Sequence, residues 1–437
     1  MAMGTPITKR FVKKLYLLAI VALTSAVRLD GASADGSVVD IVTAFSPTVV
    51  PLPADRDFTG NGLITGQFGK NNGPFEYAVH LTIRGAYDDN IGLTHTNRLD
   101  DFFVQIQPSL MLAIGDVVKQ ENFLAARYSP SFYRYDDHSE FDSDQHLVRV
   151  IGGIKSGDLI VRLIQDVAIL DNVVLAASSG ERSALGTDGR TDLDIYSTRL
   201  SANYNMTPRD FLFTELKMSR YDYAQPLVSS ALYATDLYLN HGFSQQLVLG
   251  AGVEGGFDEV GFPTPDQTLV QANGHLNFTP SNQFALDVIA GVEFRNFENI
   301  SRQTYSTPVF TISATFLPWE STRIIFGATR QVYNSAAKTA QDYVDTNLSG
   351  TIRVRACKQL YLIVLGGYEH VDYLNTIDSQ PLPTLRDDYW YVQPSVDLLL
   401  TRFWSIGGYY LRRQNSGSIS TVGFYSNEYG VRTSIKF

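Results

Sequence analysis

From Tyr77 to the end of the chain, apolar and polar residues alternate. In YAVHLTIRGAY, Tyr77, Val79, Leu81, Ile83 and Tyr87 share one phase, while His80, Thr82 and Arg84 take the other. In DFFVQIQPSLMLAI, Phe102, Val104, Ile106, Leu110 and Leu112 oppose Gln105, Gln107 and Ser109. In VDTNLSGTIRVRA, Val344, Leu348, Ile352, Val354 and Ala356 oppose Asp345, Asn347, Ser349, Thr351, Arg353 and Arg355. This is the period of a β-strand whose two faces meet different surroundings. About eighteen such segments follow one another, each roughly ten residues long, the length a tilted strand needs to cross a bilayer. One of them, LYLIVLGGY (Leu360–Tyr368), is apolar on both phases.

The connectors alternate as regularly as the strands. Short ones cover Tyr204–Phe211, Gly242–Gln246, Phe278–Phe284, Phe316–Thr322, Cys357–Gln359 and Thr401–Ser405. Long ones cover Asp88–Asp100, Asp136–Asp144, Asp171–Thr191, Asp258–Gln267, Tyr373–Asp387 and Gln414–Gly423. Short turns at one end and long loops at the other describe an up-and-down antiparallel meander. In hydrocarbon every backbone N–H and C=O needs a partner, so a sheet can enter a membrane only by closing on itself. The expected fold is therefore all-β: a closed, antiparallel, up-and-down transmembrane barrel of about eighteen strands, with short periplasmic turns and long extracellular loops. Phe278, Phe316, Trp319, Phe403 and Trp404 flank short turns, where an interfacial aromatic girdle belongs. A soluble two-sheet sandwich would also alternate, but its connectors would not sort into short and long.

Composition agrees with a chain that meets both lipid and water. Of 437 residues only 18% are charged, and 24 Tyr and 25 Phe bring aromatics to 12%. The net charge of −10 argues against a partner recognised through its phosphate backbone, so no nucleic acid is expected. The single cysteine, Cys357, allows no intrachain disulfide.

At the N-terminus, Lys9, Arg10, Lys13 and Lys14 precede the apolar run Leu15–Val27, and small residues follow at Ala32–Ala34. These are the parts of a cleavable signal peptide, placed at residues 1–34. A Gly- and Pro-rich segment, 35–75, reads as a flexible periplasmic lead into a barrel spanning 76–437. Export through a leader and an even strand number place both barrel ends on the periplasmic side. The last strand ends on Phe437, with Ile435 and Tyr429 in the same phase. This resembles the C-terminal recognition signature of bacterial outer-membrane proteins, read by the barrel-assembly machinery through strand addition.

The stretch Gly85–Asp116 resembles the opening hairpin of the beta-barrel porin type 2 family. The matching features are the acidic turn Asp88-Asp89-Asn90 and a strand entered at Asp101-Phe102 and running through Pro108. The resemblance implies an outer-membrane barrel, of a kind associated with exopolysaccharide production. It implies no catalytic residue.

Assigning the polar phase to the lumen gives the expected pore lining: Arg84, Arg127, Arg149, Arg162, Glu215, Lys217, Glu254, Asp287, Arg295, Arg323, Arg353, Arg355, Asp397 and Arg432. Lys155, Arg199, Asp166, Asp236, Glu293 and Asp345 share that phase. On this reading the interior is slightly basic and an open barrel favours anions. The loop Asp136–Asp144 holds five carboxylates in nine residues, but lacks the EF-hand spacing and its central glycine, so it reads as a solvated loop. Seven histidines are scattered, and no G-x-S-x-G or H-E-x-x-H motif is present, so no enzyme, cofactor or metal is expected. Gly250–Gly256 is a place for the wall to bend.

The expected function is passive diffusion of small hydrophilic solutes through a bacterial outer membrane, in contact with its lipid and lipopolysaccharide. One alternative is export of an extracellular polysaccharide, which a lumenal aromatic ladder through Tyr133, Tyr368, Tyr389 and Tyr391 would favour. The others are a barrel hydrolase and a purely structural or adhesive barrel.

Overall fold

A computed structural model describes residues 75–436 apart from 117–120, 175–189, 263, 299–303, 335, 337–340, 376–385, 402 and 418–422. The leader, the 35–75 segment beyond its last residue, and Phe437 lie outside the described residues. The described chain is one sheet of eighteen strands. In chain order they are β1 (Phe75–Asp88), β2 (Asp101–Asp116), β3 (Glu121–Tyr135), β4 (Ser143–Ser156), β5 (Leu159–Val174), β6 (Arg190–Asn205), β7 (Asp210–Tyr223), β8 (Ser230–Gly242) and β9 (Leu247–Val260). They continue as β10 (Gln267–Ser281), β11 (Phe284–Phe297), β12 (Tyr305–Trp319), β13 (Thr322–Asn334), β14 (Gln341–Arg355), β15 (Leu360–Asn375), β16 (Arg386–Leu399), β17 (Trp404–Gly417) and β18 (Phe424–Lys436).

Each strand pairs antiparallel with the next, and β1 pairs with β18 from His80↔Lys436 to Asp88↔Glu428. The sheet is thus a closed barrel, in which each strand has a neighbour on both sides. The ladders outrun the sequence expectation. Strands hold 13 to 16 residues rather than roughly ten. Alternation reports only the part of a strand that meets two different media. Hydrogen bonding continues past it, where both faces are wet.

The two faces separate as the period demands. On β1 and β2, Tyr77, Val79, Ile83, Val104, Ile106 and Leu112 are exposed outward. Thr82, Asp88, Gln105 and Gln107 are buried on the inner face. Around the wall Leu237, Val253, Phe326, Ile352, Val396 and Val431 continue the apolar exterior. At about 25 cal/mol per Å² such a belt could not stand in water, so it identifies a lipid-facing surface. Near the short turns Phe316, Trp319, Phe403 and Trp404 are exposed on this exterior. The Trp404 indole donates to Thr433 Oγ1 at 2.8 Å, the polar tip an interfacial tryptophan needs. The tightest connection, Gly157-Asp158 between the Ser156↔Leu159 pair, requires its glycine, which sits at φ 58°.

One part of the wall departs from the cylinder. The β12–β13 ladder ends at Phe310↔Arg330, although β12 begins at Tyr305 and β13 runs on to Asn334. The β13–β14 ladder continues to Asn334↔Asp342, and β14 stays paired with β15 up to Gln341↔Asn375. The outer end of the β13–β14 hairpin has therefore left β12. Its contacts show where it goes. Arg295 of β11 donates to the Val332 carbonyl at 3.3 Å, and Gln267 of β10 donates to Asp342 at 2.8 Å. Val332, Asn334, Asp342 and Val344 belong to the phase that faces lipid lower on these strands, yet all are buried. Ala336 at the tip packs with Ala168, Leu170, Leu193, Ile195 and Tyr223 of β5, β6 and β7. Its carbonyl accepts the Val228 N–H from the β7–β8 loop at 2.9 Å. The hairpin bends into the barrel, lies along the inner wall, and reaches the strands on the far side.

Candidate functional site

The inner face is largely polar, with apolar clusters near the short turns (Ala113, Phe123 and Ala125; Phe211, Phe213 and Val248), and its charges sort along the strands. Toward the middle, Arg149 pairs with Asp166. Lys217 reaches both Asp236 (2.7 Å) and Glu254 (3.2 Å). Glu215 is directly opposite Asp236, and Asp236 opposite Glu254. Three neighbouring strands thus bring three carboxylates together, with Lys217 between two of them. On β10 and β11, Arg295 donates to Glu293 (2.7 Å) and Gln267 (2.8 Å), and Gln271 donates to Glu293 (2.9 Å). Asp287 accepts from Asn277 at 3.1 Å and meets His275 at the same distance. Glycines make room here. A side chain at Gly250 would strike the Asn240 amide, and one at Gly252 the Tyr238 ring. These positions of β9 clear space for a packed polar cluster rather than bend the wall, as the sequence suggested.

Toward the long-loop end the lining turns acidic. Asp88 accepts from Arg413 at 2.6 Å and from Ser426 at 2.8 Å. Glu428 accepts from the Tyr409 hydroxyl and lies 3.4 Å from Arg84. The Arg84 guanidinium also sits over the rings of Phe103, Tyr133 and Tyr409, at 5.2, 5.9 and 5.6 Å. Asp101, Asp258, Glu369 and Asp387 are buried at this end as well. The sequence reading omitted these acids because they flank loops. Among the described residues these acids offset the basic surplus expected from the sequence. The interior has a separation instead: acids near the loops, and arginines near the short turns of β13 and β14.

Acids also tie the loops down. Asp101 accepts the backbone N–H groups of Phe102, Asp137 and His138, joining the β3–β4 loop to β2. Burial pushes the Asp89 carboxyl up, but the Asn427 amide, the Asn427 N–H and Arg98 outweigh it and hold it below the usual aspartate range. In the acidic loop, Glu140 accepts from His138 Nδ1 at 2.9 Å and lifts that imidazole above the ordinary histidine range. A raised folded-state value contributes stability below the free histidine value, and that contribution is lost as pH rises through the raised one. NMR titration is expected to find His138 protonating above unperturbed histidine, and Glu140→Gln to bring it back. An unchanged midpoint in that variant would remove the pair.

The sequence-derived residues now have places. Arg84, Arg149, Lys217, Glu254, Asp287, Arg295, Asp397 and Arg432 sit in ion-paired networks; Arg432 donates to Asp397 at 2.9 and 3.1 Å. Arg127 is held by the Ser109 and Ser129 hydroxyls at 3.2 and 2.9 Å. Glu215 and Arg162 are buried on the inner face. Arg323 and Arg353 stand directly opposite each other, and Arg355 opposite Tyr361. The structure does not gather the fourteen into one site. It distributes them around the wall. Tyr429 is exposed outward on β18, with Ile435 in the same phase.

Sequence reasoning missed the hairpin, and of the aromatic cluster beside it named only Tyr389 and Tyr391. Tyr343, Tyr373, Tyr389, Tyr391, Val371 and Phe424 form one buried group, against which Leu93 of the β1–β2 loop packs. Tyr389 and Tyr343 are both 0% exposed. Tyr368 is not part of it. It lies on the outward phase, 41% exposed, because LYLIVLGGY does not reveal its own phase.

A closed antiparallel wall, greasy outside and polar within, defines the class: a membrane-spanning β-barrel. In sequence, neither a family profile nor a curated protein matches the chain, so the resemblance at Gly85–Asp116 stands on those residues alone. Among solved structures it is similar to the outer membrane protein OpdK (OccK1) of Pseudomonas aeruginosa, at 10% identity and TM-score 0.43, over 83% of this chain and 99% of that one. It is similar to OccAB4 of Acinetobacter baumannii at 9% identity and TM-score 0.41, over 85% and 99%. It is similar to the siderophore receptor PirA of Pseudomonas aeruginosa at 8% identity and TM-score 0.39, over 83% and 80%.

Proposed function

We propose that the protein is a porin-like channel of a bacterial outer membrane, passing small hydrophilic solutes by diffusion through a lumen narrowed by the β13–β14 hairpin. The observation that carries this is the inner face: charged and amide side chains on every side of the wall, facing away from lipid. An eighteen-strand barrel is too wide for one layer of side chains to fill. Water then occupies the remaining space, and solutes compatible with a polar wall can share it. The hairpin sets the size limit and the paired charges set the field.

Polysaccharide export fits less well. A sugar track needs ring faces open to the lumen, and the tyrosines of the β14–β16 cluster are spent on one another. The test is reconstitution of the purified barrel into planar bilayers, followed by swelling of liposomes in a graded series of neutral sugars. Discrete ion-conducting steps, with permeation falling sharply over a narrow range of solute size, are expected. A sealed bilayer at all voltages, with the barrel shown to be folded, would overturn the channel.

A further inference from the structure

The inner-face cations are treated unequally. Lys217, Arg149, Arg295, Arg413 and Arg432 each contact a carboxylate. At the short-turn end of β13 and β14 this stops. Arg323 and Arg353 are directly opposite cross-strand partners, an arrangement in which like charges repel. Arg355 follows two residues on in the same phase. Among the described residues none of the three has a carboxylate within ion-pair distance. Arg353 instead lies over the Tyr361 ring, 4.5 Å from its centroid, which holds the guanidinium without neutralising it. The Arg323 Nε–H is buried and has no acceptor. Asp397, which the register places one strand beyond Tyr361, is occupied by Arg432.

An orphaned donor on one of two facing arginines is a site lacking its acceptor. Folding would favour replacing one arginine by a neutral residue, because each added cation costs repulsion and desolvation. The planar fork of arginine matches the paired oxygens of phosphate and carboxylate groups, and a second positive group favours a doubly charged ligand over chloride. We propose that Arg323, Arg353 and Arg355 form an oxyanion subsite at the short-turn end of the lumen, taking the phosphate group of a small phosphorylated solute or free phosphate. This deepens the channel reading by giving it a solute class. The acidic loop end and the basic turn end then act in sequence: an anion that has passed the carboxylates is held before release.

The subsite is tested by binding rather than by conduction, so its failure is separable from failure of the channel. Full-length barrel in detergent is titrated calorimetrically with inorganic phosphate and, separately, glycerol phosphate, at constant ionic strength set with chloride. Saturable binding at millimolar concentration or below is expected. It should fall at least tenfold in Arg323→Gln/Arg353→Gln and persist in Lys358→Gln, a turn variant. Arg353→Lys should lose much of it, because a point charge cannot replace the fork. Binding of glycerol phosphate as tight as that of phosphate assigns the site to phosphorylated solutes, and binding of phosphate alone to the free ion. In the wild-type chain, phosphate should also slow phenylglyoxal labelling of Arg323 and Arg353 relative to Arg209, a readout that survives if the double variant does not fold. No saturable heat, or equal labelling with and without phosphate, would overturn the subsite.

Discussion

Shortening the β13–β14 hairpin, so that it turns back at the level of the Thr329↔Asn347 pair, is expected to raise single-channel conductance by about two- to threefold. The reason is geometric. The hairpin leaves β12 after Phe310↔Arg330 and reaches Ala168, Leu193 and Tyr223 on the far wall. It thereby occupies cross-section that an eighteen-strand ring would otherwise leave to water. Removing it also frees Gln267 and Arg295, which donate to Asp342 and Val332. β10, β11 and β12 remain paired with one another, whereas β15 loses its β14 partners from His370 to Asn375, so heat-modifiable migration of the shortened barrel is the control for folding. The size limit in liposome swelling should move upward together with the conductance. A milder change, Ala336→Asp, breaks only the apolar anchor at the tip and should appear as flickering rather than as a wider pore. Unchanged conductance in the shortened barrel would show that the narrowest point lies elsewhere.

The hairpin also marks where the sequence stops being readable. Alternation follows from a two-sided sheet, so the strands, their order and the exposed phase of β1, β2 and β14 can be read one residue at a time. Alternation records that a face is dry, not what dries it. Val332 and Val344 carry the same apolar phase whether lipid or the inner wall covers them, and the polar Asn334 and Asp342 beyond them read as strand ends beside a loop, so the inward bend is not legible from the pattern. The lumenal acids were hidden for a different reason. Asp88, Asp101 and Glu428 lie at strand ends, where period two gives way to loop composition, and only the structure shows that Asp88 and Glu428 meet Arg413, that Glu428 also meets Arg84, and that Asp101 holds the β3–β4 loop. For Tyr368, a strand apolar on both phases gives no basis for choosing a face.

Removing Lys217 is expected to be the most damaging single change in the lining, because its loss leaves charges behind rather than a gap. Its ammonium lies 2.7 Å from Asp236 and 3.2 Å from Glu254, and Glu215 is the cross-strand neighbour of Asp236. The Asp236 and Glu254 side chains are 7% and 12% exposed, so water screens them little. Lys217→Met keeps the length and apolar stem of the side chain but leaves facing carboxylates uncompensated. Breaking a buried pair in this way costs about 3–5 kcal/mol, more than the pair contributes over an apolar replacement. Urea titration of the barrel in lipid vesicles should show the loss as a lower midpoint with an unchanged slope. Adding Asp236→Asn to Lys217→Met should recover most of it, because removing one negative charge relieves the repulsion the lysine had balanced. That recovery separates electrostatics from packing: a cavity left by the missing ammonium would not be repaired by an amide on the adjacent strand. If Lys217→Met is as stable as the wild type, or if the second substitution only adds to the damage, the carboxylates do not depend on the lysine in the way the distances imply.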